Sequence, residues 1–151
     1  MTKYLMGIDN GGTSSKAAIY DINGNEIAKH TTYTTMLTPH HYWTERDMNE
    51  LKEVNFEAIR GALKKSGIDA HDIVGISCTG HGNGLYLMGE NGSVVRNGII
   101  STDNRAHRIV DKWLADPEYE TIVRPRTYQT VWASQPVSLL KWLDENCLLY
   151  T

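Results

Sequence analysis

Asp9-Asn10-Gly11-Gly12-Thr13-Ser14-Ser15-Lys16 is the stretch on which the fold turns. Before it, Tyr4, Met6 and Ile8 alternate with Leu5 and Gly7, and after it Ala17 to Ile22 is again apolar, so two strands flank a turn-rich tip and the whole reads as a β-hairpin. Glycines allow close backbone approach. Successive N–H groups, three hydroxyls and one ammonium can therefore form a concave anion site, with phosphate as its natural guest. The candidate phosphate-binding residues are Gly11, Gly12, Thr13, Ser14 and Lys16. A carboxylate at the mouth of such a site repels phosphate unless a divalent cation stands between them, so Asp9 is the candidate metal residue, for Mg2+ bound through water to a nucleotide. A plain glycine-rich turn would need no ligand. The segment is not a Walker loop, because G-x-x-x-x-G-K-[ST] is absent and the next element reads as a strand.

Outward from the hairpin, a turn at Asn23-Gly24-Asn25 leads to Ile27 and the Thr-rich run Thr31 to Thr35, which completes a three-stranded meander. Asp47 and Glu50 have capping-box spacing and introduce Met48, Leu51, Val54, Ala58, Ile59, Ala62 and Leu63 on one helical face, with Gly67 as the stop. Ile73 to Thr79 predicts a buried strand with Cys78 as a small buried thiol, followed by the loop Gly80-His81-Gly82-Asn83-Gly84 and a further strand over Leu85 to Met88. A helix carrying Ala106, Ile109, Val110, Trp113 and Leu114 stops before Pro117. A last helix starts near Pro136 and buries Val137, Leu140 and Trp142 or Leu143. Antiparallel strands followed by helix, strand and helix define a mixed α/β class and exclude an all-helical bundle and a plain doubly wound dinucleotide fold.

The chain has 151 residues, 40% apolar and 22% charged, enough for one packed domain. Fifteen Lys and Arg against eighteen Asp and Glu give a net charge of −3, so no global field draws it to nucleic acid or an anionic membrane. No apolar run approaches the ~18 residues of a membrane span, and the start has no signal-peptide core, which makes a cytoplasmic protein the expectation. Cys78 and Cys147 have no spacing suited to a metal site or a disulfide framework. The apolar end Leu148-Leu149-Tyr150 adds exposed surface, so self-association, for example as a homodimer, is expected at high concentration.

Two further segments carry candidate chemistry. In Gly80 to Gly84 a bare backbone leaves room for a ligand, and Asn83 can donate to and accept from a sugar hydroxyl, whereas loop flexibility alone would also explain the glycines. His81 reads as a packed or supporting group rather than a base, because nothing near it in sequence would orient a catalytic imidazole. In Ser101-Thr102-Asp103-Asn104-Arg105, Asp103 could cap the next helix, and Arg105 offers charge to a phosphate or polyol.

Taken in order, these segments resemble the N-terminal domain of the FGGY carbohydrate kinases, the glycerol, ribulose and xylulose kinase family of the actin-like ATPase superfamily. Gly7-Ile8-Asp9 with Gly11 to Lys16 resembles the family's first phosphate loop, D-x-G-T-T-S-x-[KR], with Gly12 in place of a threonine. Trp43-Thr44-Glu45-Arg46-Asp47 resembles the acidic lead into the first helix, and Gly75-Ile76-Ser77 the strand before the substrate loop. His81, Gly82 and Asn83 fall on that loop's Gln-Met-His or Gln-Arg-Glu places, and Asp103 and Arg105 match W-x-D-x-R with serine replacing its tryptophan. Glu45 to Met48, Ser101 to Ala106, Gln129 to Trp132 and Pro136 to Trp142 are most similar to the L-xylulose kinase branch.

The resemblance implies an actin-like, ribonuclease H-like α/β domain with a mixed sheet and flanking helices. It implies ATP and Mg2+ as cofactors, and transfer of the γ-phosphoryl to a ketose such as L-xylulose or a related pentulose or polyol. His81, Gly82, Asn83, Asp103, Arg105 and Trp132 are the implied sugar-binding residues. Residues 1–151 then form an incomplete N-terminal kinase domain, with the catalytic base in a second domain outside this chain, so the chain alone is expected to be inactive. The alternatives are a nucleotide-gated module like actin or the chaperone ATPases, and a folded, non-catalytic truncated product.

Overall fold

The computed structural model describes residues 2–146. Alternating apolar residues form β1 (Tyr4–Asn10), which pairs antiparallel with β2 (Ser14–Asp21), and β2 pairs antiparallel with β3 (Glu26–Tyr33). The β2–β3 turn is organised by Asp21, whose carboxylate accepts from the backbone N–H groups of Asn23 and Asn25 at 2.8 and 2.9 Å and from the Asn25 amide at 2.8 Å. These bonds to the charged form, the Asn25 side chain first, lower the Asp21 pKa.

Between β3 and the first helix lies the two-residue strand β4 (Glu45–Arg46). Helix α1 (Met48–Ser66) starts where Asp47 accepts from Asn49 N and Glu50 N, and ends at Gly67 in the left-handed region with its N–H on the Leu63 carbonyl. The predicted capping box forms only in part: the Glu50 carboxylate accepts from the Thr35 N–H and hydroxyl instead of turning back to Asp47. The predicted apolar face packs on the sheet, with Ala58 and Ala62 fully buried against Met6, Ala17 and Ile19. After α1, β5 (Ile73–Gly80) returns parallel to β1, giving the mixed order β3-β2-β1-β5.

Among the described residues, that sheet and α1 form one compact unit, residues 2–36 and 46–81, and residues 37–45 and 82–146 form a second. The second unit contains β6 (Gly98–Ile99), which pairs with β4, and the helices α2 (His107–Leu114), α3 (Arg124–Thr127) and α4 (Pro136–Glu145). A π-helical turn, Tyr119–Val123, runs into α3 and has no counterpart in the sequence reading. Leu85, Ile99, Ile109, Tyr119, Leu139 and Leu143 make the core of this unit. The Tyr119 hydroxyl accepts from Val131 N at 2.7 Å and donates to the Gln129 carbonyl at 3.1 Å, so a tyrosine can be buried without an orphaned polar atom.

Several expectations are corrected. Cys78 is exposed, because β5 is the last strand of the described sheet and Ile76 beside it is also uncovered. Leu85 to Met88 makes isolated bridges to Ile99 and Val94 rather than a strand. Val137 and Leu140 of α4 are exposed, as is Leu114 of α2. Leu143 is buried as expected, and its i,i+4 partner Leu139 points inward with it, beside a buried Ser138 whose hydroxyl donates to the Trp132 carbonyl at 2.9 Å. Among the described residues no helix is long and apolar enough to cross a membrane. The expectations for Cys147 and the Leu148-Leu149-Tyr150 end lie outside the described residues.

Candidate functional site

In the first unit, the β1–β2 register sets Asp9 opposite Lys16 and Asn10 opposite Ser15, leaving Gly11, Gly12 and Thr13 as the tip. Strand alternation puts Asp9 and Lys16 on the face away from Met6, Ala17 and Ile19, which pack on α1. There the Lys16 ammonium lies 3.7 Å from the Asp9 carboxylate, with both side chains about half exposed. On the other side of β1, Thr79 is the register partner of Asp9. These residues line a groove of about 310 Å3 together with Gly7, Ser77 and Lys29.

The tip itself is tightly tied. The Gly11 N–H donates to the Ser14 carbonyl at 3.0 Å and Thr34 N to the Thr13 carbonyl at 3.1 Å, so the Gly11 donor serves the turn rather than a ligand. A Cβ on Gly11 would stand 3.2 Å from the Ser14 carbonyl oxygen, whereas one on Gly12 would meet nothing within 4 Å. The expected trio of hydroxyls is reduced: Ser14 and Ser15 are buried, and Ser15 Oγ donates to Asn10 Oδ1 on the α1 side of the sheet. Thr13 remains exposed. The loop after β5 is anchored here as well, since His81 N–H donates to the Asn10 carbonyl at 3.1 Å and its Nδ1 lies 3.5 Å from the same oxygen.

Sequence reasoning missed a second group under this tip. Arg46 is fully buried, and its Nη1 donates to the Gly11 carbonyl at 3.2 Å. Nothing in the spacing of Trp43 to Asp47 marks Arg46 as interior, because a charged residue before a helix cap is ordinarily solvated.

In the second unit, Asn83 and Gly84 adopt consecutive positive φ values of 66° and 81°. Glycine is required at 84, where a Cβ would stand 2.5 Å from the Ile99 carbonyl oxygen, and Gly84 N–H donates to the Ser134 carbonyl at 2.8 Å. At Gly82 there is open space around the backbone. Asn83 lines a largely apolar cavity of about 650 Å3 with Trp113, Tyr119, Val131 and Gln135 among its walls.

Asp103 and Arg105 do not line that cavity, contrary to the expected pairing of Asn83 with Asp103. They are buried and paired: Asp103 accepts from Arg105 Nε and Nη2 at 2.9 to 3.0 Å and from Thr44 N at 2.7 Å, while Arg105 Nη1 has no hydrogen-bond partner among the described residues. Arg105 Nη2 also donates to Glu45 at 2.8 Å, Arg96 approaches the same carboxylate at 2.9 Å, and the Arg105 guanidinium stacks over Trp43 at 4.2 Å. Through Thr44 N, Glu45 and Trp43 the pair fixes the 37–45 segment. Trp132 is partly exposed, with its indole N–H on Ser134 Oγ at 3.1 Å, and lies off the cavity wall.

A mixed sheet with an acid-and-lysine pair at a glycine tip, followed by a glycine loop after the parallel strand, defines a class. The sequence matches the FGGY family of carbohydrate kinases, N-terminal domain, over residues 4–148, and the chain belongs to that family. It is similar to the L-xylulose/3-keto-L-gulonate kinase of Escherichia coli (strain K12), 41% identical over 146 residues that cover 97% of this chain and 29% of the relative. Solved structures give the same picture. A gluconate kinase from Lactobacillus acidophilus matches with a TM-score of 0.87 at 25% identity, covering 97% of this chain and 29% of that one. A ligand-bound xylulose kinase from the same organism matches at 0.86 and 26%, over 96% and 29%. The fold is thus that of the actin-like sugar kinases, and family membership decides against an actin- or chaperone-like interaction module. The chain spans about three tenths of the length of these relatives.

Proposed function

We propose that this chain forms the phosphate-loop and sugar-side portion of an ATP-dependent ketose kinase acting on L-xylulose or a related pentulose or polyol. The observation that carries the reading is the Asp9–Lys16 pair on the open sheet face at the base of the glycine tip. Lys16 and the exposed backbone at Gly12 and Thr13 hold phosphate oxygens, and Asn83, with the bare backbone at Gly82, meets sugar hydroxyls. His81 ties the sugar loop to Asn10, and Trp132, bonded to Ser134, adjoins the backbone that holds Gly84. The similarity to an L-xylulose/3-keto-L-gulonate kinase supports the choice of ketose.

Asp9 is the one carboxylate at the tip, and no cluster of three His, Cys, Asp or Glu side chains stands among the described residues. This donor set fits Mg2+ held through water and phosphate oxygens rather than in a protein cage, and the ion would supply charge neutralisation during phosphoryl transfer. The contribution of this chain is alignment and electrostatic stabilisation, because phosphoryl transfer leaves little covalent chemistry to the protein. Residues outside the chain complete the reaction, so the chain alone has no useful turnover.

Coupled ADP release with a panel of ketopentoses and polyols tests the proposal on this chain and on a two-domain form. L-Xylulose-dependent turnover by the longer form only is the expected result, with Asp9→Asn lowering kcat far more than sugar affinity. Comparable turnover by the short chain, or silence from both, refutes it.

A further inference from the structure

Arg46 is fully buried immediately before Asp47, the cap of α1. One of its donors reaches the Gly11 carbonyl, and Nε and Nη2 have no acceptor among the described residues. A guanidinium keeps its charge when buried, so a full positive charge lies directly beneath the tip. Two other peptide groups of the tip are held by neutral backbone bonds, Gly11 N to Ser14 O and Thr34 N to Thr13 O.

The geometry of one peptide unit connects this charge to the outside. No peptide bond among the described residues is cis. In a planar trans unit the N–H of residue i+1 points opposite to the C=O of residue i. The Gly11 carbonyl faces the buried guanidinium, so the Gly12 N–H of the same unit faces away from it. Gly12 is exposed, a Cβ there would meet nothing within 4 Å, and no described residue accepts from its N–H. A charge-assisted bond to the carbonyl also polarises the amide and strengthens the donor at its other end.

We infer that Arg46 is the positioning residue of the anion-binding tip: from beneath, it fixes the plane of the Gly11–Gly12 peptide with the Gly12 N–H outward and polarised toward a phosphate oxygen. The inference rests on the phosphate reading of the hairpin. Arg46 acts through the peptide group and does not itself reach the ligand.

The test is NMR on the 151-residue chain and its Arg46→Lys and Arg46→Met variants. Loss of the bond shifts the Gly11 carbonyl 13C and Gly12 15N resonances in Arg46→Met, and the lysine variant restores them part of the way. The amides of the Asp21–Asn25 turn, remote from Arg46 in the register of the sheet, stay in place and report that the variant is folded. In the same samples, titration with Mg-ATP shows binding weakened roughly tenfold by Arg46→Met and less by Arg46→Lys. If Arg46→Met does not fold, the lysine variant alone carries both readings, with smaller changes of the same sign. Gly11 and Gly12 resonances that superimpose on wild type, or unchanged Mg-ATP affinity in a folded variant, overturn the inference. Failure of the wild-type chain to bind Mg-ATP overturns the phosphate reading instead, and the two resonances then decide whether Arg46 sets the peptide plane.

Discussion

Glu45→Gln removes one charge from a buried cluster with almost no change of volume. Glu45 Oε1 accepts from Arg96 and Arg105 at 2.9 and 2.8 Å, Oε2 accepts from Asn97 at 3.4 Å, and the side chains of Asp103 and Arg105 are fully enclosed. In the wild type two carboxylates balance two guanidiniums. In the variant one carboxylate faces both, and removing one partner of a buried pair costs about 3–5 kcal/mol. Arg96 is 23% exposed and can turn part of its charge to water, which places the expected loss near the lower end, about 3 kcal/mol. At about 2–4 °C per kcal/mol for a chain of this size, the thermal midpoint falls by about 6–12 °C. Tryptophan fluorescence during urea unfolding is the assay, because Trp43, Trp113, Trp132 and Trp142 all belong to the second unit and report on its stability. A loss below about 1 kcal/mol, the range of solvent-exposed pairs, refutes the reasoning. It would also remove the ground for treating Asp103 and Arg105 as a frame.

Gly84→Ala forces a Cβ to within 2.5 Å of the Ile99 carbonyl oxygen at a φ of 81°, so urea unfolding followed by fluorescence should show a loss of about 2 kcal/mol or more. Gly12→Ala meets open space and should change stability by less than about 1 kcal/mol in the same assay. Asp47→Ala deletes the acceptor for Asn49 N and Glu50 N, and circular dichroism during thermal melting should report a loss of about 1 kcal/mol. The Asp21 pKa is lower folded than unfolded, so its contribution is present above the ordinary carboxylate pKa and disappears as pH falls through the lowered folded value. Asp21→Ala should therefore reduce the difference in unfolding free energy between neutral pH and about pH 3, and an undiminished difference would contradict the assignment.

The first unit was largely legible because its signals are local. Alternation gave β1 and β2, Asn23-Gly24-Asn25 gave the turn, and Asp47 and Gly67 bounded α1. Partners distant in sequence escaped. Glu50 was drawn from its capping role by Thr35, fifteen residues away, and Arg46 was captured by Gly11 across thirty-five. The second unit has few regular elements, and its order comes from pairs such as Tyr119 with Val131 and Arg105 with Glu45, which no period reveals. On α4 two apolar stripes were available, and packing selected Leu139 and Leu143 over Val137 and Leu140. In the candidate site, Asp9, Lys16 and Asn83 stood out as short-range patterns. The burial of Ser14, Ser15 and Asp103 depends on what the surrounding chain covers.

The path of the chain between the two units has a consequence for synthesis. Residues 37–45 belong to the second unit but are translated before the rest of it, which starts at residue 82. Glu45 therefore leaves the ribosome sixty residues ahead of Arg105, the cation that encloses it. During that interval the meander and α1 have all the strands they need to pair, while Glu45 remains an ordinary hydrated carboxylate. Its desolvation is deferred until both guanidiniums have been made, so the nascent chain never has to bury that charge alone.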